Sequence, residues 1–346
     1  MKTTFSIIIV TWNAIHHLKR FLPSVADTDY PNLEIIIADN ASDDGSGEWV
    51  ENHYPQCKVI TFDENHGYCG GNNRAARHAN GEVLIFLNND VETDPNWLNT
   101  LDLAFRNKKA DIVQPKMRSV ENRRYFEYAG AAGGFIDWLG YPFCRGRIFD
   151  VVEEDHGQYD ESVNIFWASG AAFAIRKDLF LETGGFDEDF EFHMEEIDLC
   201  WRCHHLDSRI ICEPGSIVYH LGGGSLPMGS PRKVFYNYRN SLIMLTKNLD
   251  HLWVLKLLLR MILDGVAGIR SLLYGRPSEL WAIIRAHFSF YSMFGKVLAK
   301  RRETKRSGDA VTFSDSPVKS QRGISRRLII IQAFVLGKDK FSDLNL

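Results

Sequence analysis

The chain has 346 residues and a net charge of −4, with 45% hydrophobic and 24% charged residues. These ordinary globular values exclude wholesale disorder and fibrous classes, and the length allows two or three domains, or one large domain with an appendage. The charge gives no global reason to expect nucleic acid, but it is uneven: 17 Lys and Arg against 7 Asp and Glu from residue 251 onward, and 23 against 37 before it. An acidic body with a basic tail points to a cation site in the body and an anionic surface as partner of the tail.

Met1–Thr4 leads straight into the apolar run Phe5–Val10, too short for a secretory h-region, and no stretch of 18 apolar residues exists. A cytoplasmic chain without a spanning helix is expected, and six cysteines without an export signal fit reduced thiols. Ile7–Val10, Leu33–Ala38, Lys58–Phe62 and Val83–Leu87 are short, apolar and β-branched, as buried strands are. Between them the spacing of Leu18, Phe21, Leu22 and Val25 predicts a helix with Asn13 as cap. Further helices are expected after Asp43 or Ser46 and near Asn72 or Asn73. Strand–helix alternation at this spacing predicts an α/β fold with a mostly parallel, helix-covered sheet. Ligands then sit beyond the carboxyl ends of the strands, where Thr11, Asn13, Asp39, Asn88, Asn89 and Asp90 stand.

Residues 120–165 are rich in glycine and aromatics and predict irregular loops with short strands. Phe166–Ile175 is strand-like, and an acidic helix should begin near Glu195. Beyond 235 the sequence is helical, with Lys256, Arg260 and Asp264 as a narrow polar stripe among Leu, Ile, Met and Val. Residues 300–325 are basic and weakly patterned, as a mobile loop is.

Each motif has two readings. Asp39–Ser46 suits a strand-end turn, and equally a carboxylate holding a base or ribose hydroxyl. Asp90 ends a turn, or binds a divalent cation together with substrate phosphates. Asn65–Asn73 is a glycine-rich loop ahead of a helix, open to phosphate, but it matches neither G-x-G-x-x-G nor a P-loop. Glu195, Glu196 and Asp198 either complement a helix dipole or form a general-base cluster beside His193, since crowding raises a carboxylate pKa. His220, ahead of Gly222–Gly224, is a ligand candidate at a strand end. Cys200-Trp201-Arg202-Cys203-His204 spells the haem-attachment pattern, but lacks an export signal and a second metal-ligand pair.

The order of these segments resembles the family 2 glycosyltransferases, inverting enzymes with the GT-A fold. The likeness runs over about residues 5–240 through Ser6–Asn13, Ala38–Ser46, Asn65–Asn73, Phe86–Asp90, Ser169–Ala172, Gly184–Glu188 and Glu195–Arg202. His220–Ser225 and Phe235–Asn240 resemble the branch containing bacterial rhamnosyltransferases of surface-polysaccharide assembly. The resemblance implies a GT-A catalytic domain over 1–240, followed by a helical, basic C-terminal region over 241–346. The positive balance of that region and its amphipathic run Trp253–Asp264 suit an interfacial helix on the cytoplasmic membrane face and, equally, a helix packed against the catalytic domain. It implies Thr11, Asn13, Asp39, Gly70, Asn73 and Asn89 at the nucleotide, and Trp167, Gly170 and Asp198 at the donor or acceptor sugar. Asp90 and His220 would hold Mg²⁺ or Mn²⁺, and Glu196 would be the base. Two departures stand out. Asn88-Asn89-Asp90 offers one carboxylate where the family has Asp-x-Asp, and Glu replaces Asp at the base position, which leaves Glu195 and Asp198 as alternative bases.

The expected partners are a nucleotide-diphosphate sugar donor and a glycan or lipid-linked acceptor, with no nucleic acid. A nucleotidyltransferase is the nearest rival, but it needs a basic phosphate clamp near the first strand, where only Lys19 and Arg20 stand. A non-enzymatic metal- or haem-binding protein is the rival of another class, resting on Cys200, Cys203 and His204.

Overall fold

The computed structural model describes residues 2–222, 230–250, 252–307 and 322–344, and in it the four expected N-terminal strands all form. The first half runs β1 (Phe5–Thr11), α1 (Ile15–Ala26), β2 (Leu33–Asp39), α2 (Ser46–His53), β3 (Lys58–Thr61), α3 (Gly67–Ala76), β4 (Val83–Leu87), β5 (Val91–Thr93), α4 (Trp97–Asn107) and β6 (Ile112–Ser119). Five short strands follow: β7 (Gly134–Asp137), β8 (Pro142–Cys144), β9 (Arg147–Ile148), β10 (Val151–Val152) and β11 (Val163–Asn164). Then come β12 (Ala172–Arg176), α5 (Lys177–Glu182), α6 (Glu195–His205) and β13 (Ile210–His220). The C-terminal part holds α7 (Pro231–Asn248), α8 (Trp253–Leu273), α9 (Pro277–Ser307), β14 (Ile324–Ser325) and α10 (Ile329–Phe334).

The main sheet has the order β11-β13-β6-β12-β4-β1-β2-β3, with β5 paired to β13. β3, β2, β1 and β4 are parallel, as expected, and β12 enters antiparallel between β4 and β6. The expected strand at Phe166–Ile175 is shorter and later than its apolar run, because Phe166–Trp167 bonds to Gly134 outside the main sheet. Both faces of the sheet are covered. Ile7, Ile9, Ile35, Ile37, Val83 and Ile85 meet α1 and α4 on one side, while Ile8, Ile36, Leu84 and Phe86 meet α3, α5 and α6 on the other. Two-sided burial explains why these strands read as continuous apolar runs rather than alternating ones. Each fully buried aliphatic side chain contributes about 1.5–3 kcal/mol.

Several local expectations change. Asn13 does not cap α1; it lies at φ 47°, and the Ile15 amide donates instead to Asp44 Oδ2 at 2.9 Å. That carboxylate comes from the neighbouring loop and meets the positive end of the helix. α3 begins at Gly67, earlier than expected, so Gly70 and Gly71 lie inside it. A Cβ on Gly71 would fall 2.9 Å from Val10 Cγ1, so these glycines bring α3 close to β1.

The boundary expected at residue 240 falls inside α7, whose Leu242–Leu245 are part of the main core. The segment after 300 continues α9 to Ser307 and returns at Ile324–Ser325 to pair with β7, while residues 308–321 lie outside the described residues. Lys247 joins these parts. Its Nζ donates to Asp187 Oδ2 at 2.6 Å and Asp198 Oδ2 at 2.8 Å, and Lys300 of α9 also bonds Asp187 and Asp189.

Replacing Lys247 with Met keeps the shape and removes the charge. Breaking a buried ion pair costs about 3–5 kcal/mol, and urea denaturation should show a loss of that order. Burial opposes ionisation of Asp187 and Asp198, but Lys247 outweighs it and holds both carboxyls below their usual range. A depressed carboxylate stabilises the fold above its unfolded pKa and loses that contribution as pH falls through the folded value. The wild type should therefore lose stability below about pH 4, and Lys247→Met should lose less.

Candidate functional site

The carboxyl ends of β1, β2 and β4 bring one group of expected residues together. Thr11 and Asp39 are register partners at the ends of β1 and β2. Asn89 Nδ2 donates to Thr11 Oγ1 at 3.2 Å. Asn13 ties this end to the next loop: its amide donates to Ser42 Oγ at 3.0 Å, and its Oδ1 accepts from the Asp43 amide at 2.7 Å. Asp39 Oδ1 accepts from the Ser42 amide at 3.0 Å. The result is a rim of polar groups beside Trp12, which is 54% exposed.

Asp90 follows β4 and faces β13. His220 Nε2 stands 3.1 Å from Asp90 Oδ1, and its Nδ1 stands 3.4 Å from Glu127 Oε1. All three side chains are buried. Burial disfavours a charged His220, but Asp90 and Glu127 outweigh it and raise its pKa to about 10. Burial likewise pushes the Asp90 carboxyl up, and His220 followed by His17 bring it below its usual range. Among the described residues no group of three or more His, Cys, Asp and Glu is arranged to hold a metal ion. A cation held by Asp90 and His220 would take its remaining ligands from phosphate oxygens. Ligation would expel the His220 proton, since a ligating imidazole is neutral. Glu127 carried no sequence signal, lying in the irregular region far from both partners. The glycines after Gly222 lie outside the described residues.

The acidic cluster sits at the start of α6, behind a strained turn. His193 and Met194 both have left-handed backbones, with φ of 66° and 75°. Such angles are costly for side chains of this size and persist only where neighbours impose them. Asn240 of α7 imposes them here: its Nδ2 donates to the carbonyls of Phe192 at 2.7 Å and His193 at 2.9 Å. The turn delivers Glu195 and Glu196, each with a buried Oε2 that has no hydrogen-bond partner. Burial raises both carboxyls, and the Glu196 charge raises Glu195 further. His193 does not balance them, because burial lowers its pKa to about 4 and leaves it neutral.

Gly170 connects this turn to the strand ends. A Cβ there would lie 3.7 Å from Glu196 Cβ. Its carbonyl accepts from Tyr68 Oη at 2.7 Å, and the next residue, Ala171, accepts from the Asn88 amide at 2.9 Å. Glu196 is thereby linked through two residues to the turn that carries Asp90.

Four expected site residues take other roles. Asp198 is buried and bonds to Arg202, Lys247 and Asn248, so its carboxylate is not open to a sugar. Trp167 is buried and donates Nε1–H to the Phe135 carbonyl at 2.9 Å, which makes it core rather than a sugar platform. Asn73 spends its amide on both backbone groups of Phe186, each at 2.8 Å. Gly70 lies inside α3, packed against Arg74 and His66. Cys200 and Cys203 are buried with thiol pKa values pushed up, and His204 bonds the Phe166 carbonyl at 2.8 Å, so the haem-like pattern is the inner face of α6. Lys19 and Arg20 are exposed on α1 and form no phosphate clamp.

The profile of the family described as "Glycosyl transferase family 2" matches residues 6–181. The chain is 29% identical over 202 residues to the O-antigen biosynthesis protein RfbC of Myxococcus xanthus, covering 57% of this chain and 15% of that one. It is 25% identical over 295 residues to the N-acetylglucosaminyl-diphospho-decaprenol L-rhamnosyltransferase of Mycobacterium tuberculosis, covering 80% and 95%. Among solved structures, GalNAc-T7 with UDP, GalNAc and Mn²⁺ superposes with a TM-score of 0.56 at 20% identity, over 72% of this chain and 49% of that one.

Asn240→Ala would leave the His193–Met194 turn without its clamp. Loss of a buried hydrogen-bond partner costs about 1–3 kcal/mol, which thermal denaturation should register. Turnover measured well below the melting temperature should fall further than that, because the turn aims the acidic pair.

Proposed function

The chain belongs to glycosyl transferase family 2, and we propose that it is a metal-dependent inverting glycosyltransferase acting in surface-polysaccharide assembly. The donor is a nucleoside-diphosphate sugar, and the acceptor is a hydroxyl of a glycan or lipid-linked glycan. The rhamnosyltransferase relative, matched over nearly its whole length, supports rhamnose as the sugar and a polyprenyl-diphosphate glycan as the acceptor. The observation that carries the reading is the adjacent pair Glu195 and Glu196, each with a buried Oε2 that has no hydrogen-bond partner, joined through Gly170 and Ala171 to the Asp90 turn.

In this reading Thr11, Asn13, Asp39 and Asn89 hold the nucleoside at the ends of β1, β2 and β4. Asp90 and His220 would hold a divalent cation, which as a Lewis acid stabilises charge on the departing diphosphate. The structural neighbour that carries Mn²⁺ supports a cation of this kind. Glu196 accepts the proton of the acceptor hydroxyl as that oxygen bonds to the anomeric carbon. The bond to the diphosphate breaks on the opposite face, so the anomeric centre inverts, by the same geometry that separates inverting from retaining glycosidases. Tyr68 holds the Gly170 carbonyl and so keeps the backbone beside Glu196 in place.

Nucleoside-diphosphate release across UDP-, dTDP- and GDP-sugars tests the reaction, and the anomeric configuration of the product tests inversion. EDTA should stop transfer, Mg²⁺ or Mn²⁺ should restore it, and Asp90→Ala should remove most activity. Full turnover in EDTA would remove the cation from this scheme.

Glu196→Gln keeps the shape and removes the proton acceptor, which should cost about 10²–10⁴-fold in transfer with donor affinity little changed. The base works ionised, and burial raises its pKa, so the rising limb of the pH–rate profile should lie above the ordinary carboxylate range and vanish in Glu196→Gln. Loss confined to Glu195→Gln would move the role one residue back.

A further inference from the structure

α8 is packed the opposite way from an ordinary surface helix. Its buried side carries Arg260 and Asp264, 5% and 1% exposed. Arg260 Nε donates to Asp264 Oδ1 at 3.0 Å, and its guanidinium lies 3.6 Å from the centre of the Tyr141 ring. His287 Nε2 of α9 stands 3.3 Å from Asp264 Oδ2. The polar stripe is thus satisfied inside the protein. The opposite side consists of Leu255, Leu258, Ile262, Val266, Ile269 and Leu273, spaced three, four and seven apart on one helical face. Of these, Ile262 is 64% exposed and Leu273 81%.

The apolar surface continues past the helix. Arg270 Cζ stands 4.8 Å from the Phe334 ring, and Phe334 at the end of α10, with Val335 and Leu336 after it, is exposed as well. Exposed apolar surface of this extent marks an interaction site. Its rim is basic and aromatic. Arg270 and Arg276 are exposed at the C-terminal end of α8 beside Tyr274, while Trp281 and Arg285 of α9 line a groove with Phe235 and Tyr236 of α7. Asp264 is the only acidic residue of α8, and it faces inward. Among the described residues, no helix is long and apolar enough to cross a membrane.

We propose that the outer face of α8, extended by the segment after α10, docks this protein on an anionic lipid surface, with α8 lying in the plane of the interface. An interfacial helix buries its apolar side at the boundary of headgroups and acyl chains, and its cationic rim meets anionic headgroups. An aromatic side chain such as Tyr274 favours the same boundary. A second copy of the chain is the weaker occupant, because an isologous contact sets the same basic rim against itself. The proposal does not depend on which sugar or acceptor the enzyme uses.

The full-length protein is tested by co-sedimentation with vesicles of phosphatidylglycerol and phosphatidylcholine in equal parts, and with phosphatidylcholine alone. The wild type should bind the anionic vesicles more tightly, with partial loss as salt rises. Leu258→Glu combined with Ile262→Glu alters only exposed positions; it should keep the wild-type melting temperature and lower partitioning at least about tenfold. Arg270→Glu combined with Arg276→Glu should remove the preference for anionic vesicles. Equal partitioning of wild type and the Leu258/Ile262 variant would overturn the proposal. So would a wild type that ignores both vesicles, or a stable dimer in sedimentation equilibrium that this variant dissociates.

Discussion

The placement of the acidic pair depends on one buried ionic cluster. Lys247 of α7 lies between Asp187 and Asp198, Arg202 closes on Asp198 at 2.9 Å, and Lys300 reaches Asp187 from α9. Arg202 also donates to the carbonyls of Thr183 at 2.6 Å and Gly185 at 2.8 Å. Four segments therefore meet at one point: the turn after α5, the helix that carries Glu195 and Glu196, and two C-terminal helices. Burying these charges is itself costly, so the cluster acts less as a store of stability than as a constraint on which segments can meet. Any arrangement that separated α7 from α6 would leave uncompensated carboxylates in the core.

This constraint makes the C-terminal helices part of the same packed body as the acidic pair. Asn240, which clamps the turn before Glu195, and Lys247, which neutralises the far side of α6, lie two turns apart on α7. α7 packs along α9, and Arg301 of α9 donates to the carbonyl of Thr246 at 2.8 Å. β14 adds a strand beside β7, and Phe341 packs at a tilt against Phe135 and Phe143. The chain after residue 240 thus supplies the support on which the acidic pair rests.

The parallel half of the sheet was legible in the sequence, because two-sided burial writes unbroken apolar runs. The pairing of Asp198 with Arg202 was also legible, since residues four apart share a helical face. Glycine carries no such signature. The run from Gly67 to Gly71 suits a phosphate loop and a closely packed helix equally, and only the nearness of Val10 decides between them. Trp167 and Asn73 hold positions a family likeness assigns to the sugar and the nucleotide, yet each is bound to backbone that the sequence does not reveal as near. Glu127 and Asn240 act on partners far along the chain, so no local pattern could single them out. For α8 the periodicity gave the stripe correctly but not its direction. A helix with one polar and one apolar side reads the same whichever side meets the protein.

The charge asymmetry shows the same limit. The excess of basic residues after 251 reads as a uniform cationic tail, but much of it is already engaged within the fold. Arg260 pairs with Asp264, Lys296 and Lys300 with Asp189, and Arg322 with Asp207. Arg301 and Arg327 are engaged with backbone carbonyls. The acidic excess of the body and the basic excess of the tail therefore cancel partly within the fold, and the cluster around Lys247 and Lys300 is where they meet. Beside the apolar face of α8 the exposed cations include Arg270 and Arg276. Attraction by a few exposed cations is screened within about 8–10 Å at physiological salt, whereas apolar burial is not. The surface character of this region is accordingly set by the side chains that α8 turns outward more than by the charge the sequence counts.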